Sequence, residues 1–331
     1  MSNAKQILAM LRSRAEGDDE QFYSIALQIA AAEARQGRRA TAEELRAAVE
    51  AARSGSGSSV PIQFAKPRGD LEGVIEHRDP RYVLKDVVLD SRLRDRIDDL
   101  VQQQARRDWL REHGKVPSRR VLFLGPPGSG KTMSAEALAG QLRLPLFVIR
   151  LEALITRYMG ETAAKLRLIF DETAKRRGVY LFDEFDAVGG RRSATNDVAE
   201  MRRVLNSFLQ YMEEENATDS VVVGATNHPE LLDKALLRRF DLVLTFDMPS
   251  DDEIKRIVTT GLRPFKSVRL AWTKIIPAAE GLSQAEISKA AEDAVKAAIL
   301  EERNSVTTDQ LLRRLLDRRE MQEAFSNTKS G

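Results

Sequence analysis

One eight-residue stretch limits the folds open to this chain more than any other feature. Residues 125–132 read Gly-Pro-Pro-Gly-Ser-Gly-Lys-Thr, which fits the pattern G-x-x-x-x-G-K-[ST] at every fixed position. An apolar run at 121–124 precedes the stretch, and a helical pattern with Ala135 and Leu138 on one face follows it. A strand, a glycine-rich loop and a helix in this order form the setting in which the pattern binds nucleotide phosphates.

Each part of this stretch suits a phosphate group. Glycines let backbone N–H groups wrap an anion, and the N-terminus of the following helix adds a favourable field. We expect Lys131 to reach the β and γ phosphates and the Thr132 hydroxyl to ligate Mg²⁺. The alternative is a plain glycine turn between a strand and a helix. The residues predicted to contact the nucleotide are Gly125, Pro126, Pro127, Gly128, Ser129, Gly130, Lys131 and Thr132.

The composition argues against several classes of protein. With 52 basic and 50 acidic residues among 331, a strongly cationic nucleic-acid binder is not indicated. Cysteine is absent, which excludes disulfides and thiolate metal sites. No apolar run approaches the length of a membrane span and the start lacks a secretory pattern, so we expect a cytoplasmic protein. The excess of arginine over lysine weakly favours a bacterial source.

The first part of the chain differs in pattern from the rest. Residues 1–53 look entirely helical, with Phe22, Ile25 and Ile29 at the spacing of an amphipathic helix. We predict a small helical domain for docking or assembly, with a structural cap on the main domain as the alternative. Residues 54–75 are rich in serine, glycine and proline and are predicted to be a flexible linker.

The remaining chain predicts an α/β domain followed by a small helical lid domain. Over residues 76–247, apolar runs alternate with helical patterns, which favours a mainly parallel sheet with helices on both faces. After residue 247 the strands stop, and capping boxes begin the helices of a lid over 248–322, with 323–331 as a tail. The predicted strands are 121–124, 146–150, 179–182, 221–225 and 242–246, and the capping boxes are Ser250 with Glu253, Ser283 with Glu286, and Thr307 with Gln310.

A second informative stretch, at 179–184, reads Val-Tyr-Leu-Phe-Asp-Glu. Its four apolar residues predict a buried strand, and its carboxylates emerge at the carboxyl end, where ligands bind in open α/β sheets. Asp183 suits the Mg²⁺ shell, and Glu184 can orient and deprotonate a water that attacks the γ-phosphate. The alternative is an acidic strand end paired with Arg191 or Arg192.

The order of these motifs resembles the AAA family of ring ATPases. Residues 131–132 and 183–184 are similar to the family's Walker A and Walker B sets. Gly-Ala-Thr-Asn at 224–227 resembles sensor 1, which implies that Asn227 helps to place the attacking water. The resemblance covers about residues 84–318 and implies a P-loop NTPase fold, ATP hydrolysis, and ATP with Mg²⁺ as cofactors.

Two adjacent arginines extend the resemblance. Residues 232–241 are similar to the family's second region of homology, whose arginines reach the γ-phosphate of the neighbouring subunit. Arg238 and Arg239 are adjacent, as in the katanin and spastin branch, and which of them contacts phosphate stays open. An arginine supplied across an interface is worth about 10³ to 10⁵ in rate, and it makes hydrolysis depend on assembly. The alternative is a solvated arginine pair at a helix end.

An aromatic loop resembles the family's pore loop, which lines a central channel and grips extended polypeptide. It consists of Tyr158, Met159 and Gly160. The aromatic ring offers apolar contact to any side chain, and the glycine leaves the backbone room to move. The alternative is an ordinary surface tyrosine beside a helix start. Residues 189–192 resemble the second pore loop less specifically.

One further match lies in the predicted lid. Residues 281–287 resemble the family's G-x-S-x-A-[DE]-I element. The resemblance implies that this element packs near the adenosine, so Gly281 joins the predicted nucleotide contacts. The resemblance does not extend to residues 1–60.

Two functions from different classes fit these expectations. The first is an Mg²⁺-ATP-hydrolysing ring, hexameric by resemblance, that remodels or unfolds proteins by pulling them past Tyr158. The second is a nucleotide-gated assembly switch that holds a partner effector, such as a separately encoded peptidase or nuclease, without threading. The N-terminal helices would dock the substrate or the partner in either case. A nucleic-acid motor is disfavoured by the balanced charge near the N-terminus.

Overall fold

A computed structural model describes one large unit of the chain and a few residues of a second. The chain divides into two compact units, Met1–Ala65 and Lys66–Gly331. The described residues are 24–30, 32, 43, 49, 74–151, 154–155, 158, 161–184, 195–214, 218–232, 234–263, 265 and 269–328. In the first unit, residues 24–30 are helical with Ala26 buried and Ile25 and Ile29 half-buried, as the predicted apolar stripe requires. The rest of the predicted N-terminal helices and residues 54–73 of the predicted linker lie outside the described residues.

A six-stranded, mostly parallel sheet organises the second unit, which confirms the predicted fold class. The strands lie in the order β1-β3-β4-β5-β2-β6, and every neighbouring pair is parallel except β1 with β3. The strands are β1 (Ile75–Arg78), β2 (Arg120–Leu124), β3 (Leu146–Arg150), β4 (Val179–Asp183), β5 (Val221–Thr226) and β6 (Leu242–Thr245).

Helices cover both faces of this sheet. Leu166, Ile169 and Phe208 of α4 and α5 belong to a core on one face, while Ile97 and Leu138 of α1 and α3 belong to a core on the other. The central strands face a core on each side and are therefore apolar throughout. The helices up to the last strand are α1 (Ser91–Ala105), α2 (Arg107–Glu112), α3 (Lys131–Leu142), α4 (Thr162–Lys175), α5 (Thr195–Glu213) and α6 (Lys234–Leu237).

The first strand, β1, was not predicted. It pairs antiparallel with β3 through Ile75 and Ile149 at the edge of the sheet, where Ile75 is buried. The sequence of β1, Ile-Glu-His-Arg, lacks an apolar run, so its extended state depends on the pairing with β3 and not on a local pattern.

Four helices with a core of their own follow the sheet. They are α7 (Asp251–Gly261), α8 (Trp272–Ala279), α9 (Gln284–Leu300) and α10 (Thr308–Thr328), packed around buried residues that include Ile257, Ile287 and Leu311. The three predicted capping boxes are present. The guanidinium of Arg256 donates to the carbonyl oxygen of Leu89 at 3.0 Å, which ties α7 to the segment before α1.

Candidate functional site

The phosphate-loop residues connect β2 to α3 in the predicted order. Gly128 and Gly130 have φ angles of +73° and +98°, in the left-handed region that side chains other than glycine rarely adopt. Within the loop, Gly125 and Ser129 are buried, and Pro127 is exposed. The loop therefore has the backbone shape that turns successive N–H groups toward one point.

Lys131 lies at the start of α3 with its ammonium group turned back toward the loop. Its Nζ donates to the carbonyl oxygens of Gly125 and Pro126 and to Oδ1 of Asn227, each at 2.8 Å. The residue is buried, and its ammonium group lies beside the carbonyl oxygens of the phosphate loop. A buried ammonium group in this position is well suited to attract a phosphate.

The predicted Mg²⁺ pair is in direct contact. Thr132 Oγ1 donates to Asp183 Oδ2 at 3.0 Å, so the end of β4 meets the first turn of α3. Mg²⁺ is usually bound through one or two carboxylates together with phosphate oxygens and water. A hydroxyl and a carboxylate beside the phosphate loop form a donor set of that kind.

Glu184 follows Asp183 in an unusual backbone conformation. Its φ angle is +56°, and its backbone N–H donates to Asp183 Oδ1 at 3.0 Å. A non-glycine residue with positive φ is uncommon and concentrates at functional sites. Arg191 and Arg192, the alternative partners of this acidic strand end, lie outside the described residues.

Two further observations fit an anion at the start of α3. Gly130 precedes this helix and offers no capping side chain, so the first backbone N–H groups of the helix are available to a ligand. The hydroxyl of Ser129 is buried and has no hydrogen-bond partner among the described residues. A phosphate group would satisfy both features.

The helical part of the unit closes over the phosphate loop. The backbone N–H of Ala285, in the first turn of α9, donates to the carbonyl oxygen of Gly128 at 3.0 Å. Gly281, with φ of +81°, makes the turn between α8 and α9 that brings this helix start into place. A cavity of about 240 Å³ adjoins the contact and is lined in part by Ser129, Phe246, Met248 and Gln284.

Sequence reasoning missed one residue at this closure. Gln284 Nε2 donates to the carbonyl oxygen of Val88 at 3.2 Å, and its Oε1 lies 3.1 Å from where a Cβ on Gly130 would be. Gln284 therefore bridges the phosphate loop and the segment before α1. Its variable place in the G-x-S-x-A-[DE]-I pattern gave no signal for this role.

Arg238 and Arg239 lie far from the phosphate loop of their own chain. Asp241, two residues after Arg239, accepts the backbone N–H groups of Arg119 and Arg120 at 3.0 Å each. Arg120 begins β2, whereas the phosphate loop follows the other end of that strand. Gly125 is six positions after Arg119 along an extended segment, which corresponds to about 20 Å.

The two arginines have different surroundings. Arg238 is exposed, and no described residue forms a hydrogen bond or ion pair with its side chain. Arg239 pairs through Nη1 with Oε2 of Glu213, the last residue of α5. Sequence reasoning did not find Glu213, because the pair joins residues far apart in the chain and no local pattern marks it.

Tyr158 is half-buried and not a freely exposed side chain. It packs against the core on the α4 and α5 face of the sheet, and the ammonium of Lys165 lies 5.3 Å from its ring centroid. Its carbonyl oxygen accepts the backbone N–H of Glu161 at 2.8 Å, just before α4. Met159, Gly160 and residues 189–192 lie outside the described residues.

Comparisons with known proteins agree with this geometry. Residues 121–248 match the model of the ATPase family associated with various cellular activities (AAA). An uncharacterized AAA family ATPase, y4kL of Sinorhizobium fredii, is 36% identical over 308 residues, which cover 91% of each chain.

This chain spans only part of the length of more distant relatives. The proteasome-activating nucleotidase of Methanopyrus kandleri is 33% identical over 68% of this chain and 53% of that protein. An ATP-dependent zinc metalloprotease FtsH of Lancefieldella parvula is 32% identical over 72% of this chain and 38% of that protein. The crystal structure of the FIGL-1 AAA domain has the same fold, with a TM-score of 0.59 at 21% identity over 77% of this chain and 92% of that chain.

Among the described residues, no helix is long and apolar enough to cross a membrane.

Proposed function

We propose that this chain, which belongs to the AAA family of ATPases and hydrolyses ATP, works as a closed ring that remodels protein substrates. In this proposal the ring is a hexamer, each subunit boundary holds one Mg²⁺-ATP, and hydrolysis pulls a polypeptide past Tyr158 through a central pore.

In the proposed reaction, each residue around the phosphate loop has a separate role. Lys131 and the first N–H groups of α3 hold the phosphates, and Thr132 and Asp183 hold the metal. Mg²⁺, when bound, neutralises charge on the phosphoryl oxygens. Glu184 takes the proton of the attacking water. Asn227, already within hydrogen-bond distance of Lys131, orients that water.

The location of the arginine pair is the main observation that supports the proposed ring. Arg238 and Arg239 are anchored at the start of β2 through Asp241, and the phosphate loop of the same chain lies at the other end of the strand. An arginine at that distance cannot reach its own nucleotide, so a charge-stabilising role requires a second subunit. Heterologous contacts of this kind close into a ring when the rotation allows.

Assembly of the ring and ATP hydrolysis should therefore change in parallel with protein concentration. We expect specific ATPase activity to fall on dilution as the mass measured by light scattering falls to that of a monomer. Full specific activity in a demonstrably monomeric sample would contradict the ring.

The names of two groups of relatives support a polypeptide substrate. The names ATP-dependent zinc metalloprotease and proteasome-activating nucleotidase associate this type of ATPase with protein breakdown. An aromatic residue before α4 suits the gripping of varied sequences, because its apolar contact does not depend on one partner side chain.

The packing of Tyr158 favours a second candidate. Its ring contacts the core and Lys165, and a gripping residue would have to leave these contacts. In the alternative, the ATPase is a nucleotide-gated assembly switch that holds a partner effector, such as a peptidase or nuclease, and threads nothing.

Substitution of Tyr158 separates the two candidates. For a remodeller, Tyr158→Ala should keep ATP hydrolysis within about threefold yet abolish the stimulation of hydrolysis by an unstructured protein such as casein. For a switch, casein should have no effect on either protein. Tyr82→Ala is the matched control, because Tyr82 is an exposed tyrosine elsewhere in the unit and should behave as wild type. Retained casein stimulation in Tyr158→Ala would contradict the pore role.

A further inference from the structure

The start of α9 lies directly against the phosphate loop. A Cβ added to Gly128 would be 2.6 Å from Ser283 Oγ and 3.2 Å from Ala285 Cβ. A Cβ added to Gly130 would be 3.1 Å from Gln284 Oε1. A side chain at either glycine would therefore collide with the start of α9 or press against it. Three successive residues of the lid, the helical part formed by α7 to α10, face two glycines of the loop.

Gln284 reaches beyond the loop to a third part of the molecule. Its Nε2 donates to the carbonyl oxygen of Val88 at 3.2 Å, in the segment before α1. One side chain of the lid thus lies beside Gly130, at the start of α3, and also bonds the segment before α1. Gln284 is half-buried, so water competes with this hydrogen bond only in part.

The capping box of α9 fixes the backbone from which Gln284 extends. Ser283 Oγ accepts the backbone N–H of Glu286 at 3.3 Å, and Glu286 Oε2 accepts the backbone N–H of Ser283 at 3.1 Å. These two bonds satisfy donors at the helix start. Gln284 is the first residue of the helix and takes no part in the cap, so its amide is available to bond Val88.

The segment that Gln284 bonds is tied to the lid at a second point. Arg256 Nη1, on α7, donates to the carbonyl oxygen of Leu89 at 3.0 Å. Asp90, the next residue, caps the N-terminus of α1. A cavity of about 240 Å³ lies beside these contacts and is lined in part by Leu89, Asp90, Gln284 and the loop residue Ser129. The lid, the phosphate loop and the segment before α1 therefore meet around one cavity.

The contact of Gln284 with Val88 has a consequence for the movement of nucleotide. Passage between solvent and the phosphate loop needs room between the lid and the segment before α1. The Gln284 amide spans this gap, so its hydrogen bond must break while a nucleotide passes. A bond that is intact before and after passage, and broken only during it, slows entry and release by the same factor, as lid opening does in other enzymes.

We propose that Gln284 is a positioning residue that holds the lid against Val88 and thereby sets the rate at which nucleotide enters and leaves the site. This gating role rests on the proposed nucleotide site at the phosphate loop, but it does not depend on a ring or on a protein substrate. Gln284 acts through the lid and the segment before α1 and requires no contact with the nucleotide.

Stopped-flow binding of the fluorescent analogue mant-ADP, in the presence of Mg²⁺, tests the gating role. Gln284→Met keeps a long, unbranched side chain but cannot donate to Val88. Its association and dissociation rate constants should both rise about twofold to tenfold, the range that follows from the net contribution of one hydrogen bond. Kd should stay within about twofold, a combination that a general loss of structure would not give. Gln284→Asn should behave alike, because its shorter amide does not span the gap.

Gln102→Met is the matched control. Gln102 is an exposed residue of α1, and no described residue forms a hydrogen bond with its side chain. Both rate constants of this variant should equal those of wild type. Melting temperatures measured without nucleotide check that the Gln284 variants fold as wild type does.

The possible failures can be told apart. Wild-type rate constants in both Gln284 variants would overturn the gating role. A change confined to one rate constant would overturn it as well, because Kd would then shift and Gln284 would act on the bound nucleotide itself. Wild-type binding of mant-ADP by Lys131→Ala would instead refute the phosphate loop as the nucleotide site, and the gating role with it.

Discussion

The backbone N–H of Ala285 donates a hydrogen bond of 3.0 Å to the carbonyl oxygen of Gly128, which joins the first turn of α9 directly to the phosphate loop. The side chain of Ser283 lies on the same side of the loop, where its Oγ would be 2.6 Å from a Cβ on Gly128. A change in the loop on phosphate binding therefore acts on the helical part of the unit without an intermediate residue.

This contact makes Gly128 sensitive to the smallest substitution. Gly128→Ala should lower ATP affinity at least tenfold, because the added methyl group collides with Ser283 and the backbone has φ of +73°. Gly114→Ala is the matched control, since Gly114 has φ of +68° and nothing within 4 Å of its Cβ position. Both variants should lose about 1–2 kcal/mol of stability from the left-handed backbone, but only Gly128→Ala should lose nucleotide affinity in calorimetry. Equal affinities of the two variants for ATP would show that the contact between the loop and Ser283 does not govern nucleotide binding.

Glu184→Gln should separate nucleotide binding from hydrolysis. The amide cannot accept the proton of the attacking water, and loss of a general base costs about 10² to 10⁴ in rate. Lys131, Thr132 and Asp183 keep their contacts, so ATP affinity should stay within about threefold and ATP-bound assemblies should accumulate. Single-turnover hydrolysis and equilibrium binding measure the two effects separately. Rapid hydrolysis by this variant would remove Glu184 from its assigned role.

A buried carboxylate at the far end of the sheet should matter for stability and not for nucleotide binding. Asp219, just before β5, has 2% of its side chain exposed and accepts a hydrogen bond of 2.7 Å from Arg111, with Arg107 3.7 Å away. Asp219→Asn should lower the free energy of unfolding by about 1.5–3 kcal/mol, the range for a hydrogen bond to a charged group.

The chain contains a close control for Asp219. Asp108 lies 3.7–3.8 Å from the same two arginines, but 74% of its side chain is exposed. Asp108→Asn should change stability by less than about 1 kcal/mol, because water screens exposed pairs. Urea unfolding of both variants, with ATP affinity measured in parallel, tests the contrast. Equal losses would show that burial of Asp219 does not govern its contribution.

The parts of this fold that sequence could predict are those with strong local patterns. The five predicted strands, such as β4, contain a short run of mostly apolar residues bounded by turn signals. The phosphate loop and the capping box of Ser283 with Glu286 have fixed spacings that few other structures require.

The parts that sequence could not predict depend on distant partners. In β1 only Ile75 is strongly apolar, and the strand forms because β3 offers it an edge. The ion pair between Glu213 and Arg239 and the anchoring of Asp241 by Arg119 join residues that are far apart in the chain and become neighbours only in the folded sheet. No periodic pattern in the sequence predicts such contacts.

Asp241 should make part of the protein's stability depend on pH. Burial alone would raise the pKa of this carboxyl group, but hydrogen bonds from the Arg120 side chain and from the backbone of Arg119 and Arg120 outweigh it and lower the pKa. A folded-state pKa below the unfolded value of about 3.8 means that the unfolded state takes up a proton first as pH falls. The stabilisation is therefore complete above about pH 4 and is lost as pH drops through the folded-state pKa.

Comparison with Asp241→Asn reveals this dependence. At pH 7 the variant should be roughly 1–2 kcal/mol less stable than wild type, because the hydrogen bonds to a charged acceptor are weakened. The difference should stay constant down to about pH 4 and shrink below it. Asp252→Asn, which changes a carboxylate with 88% of its side chain exposed, should differ little from wild type throughout. Urea unfolding from pH 7 to pH 3 gives the curves, and a stability gap that widens in acid would show that the Asp241 contacts do not favour its ionised form.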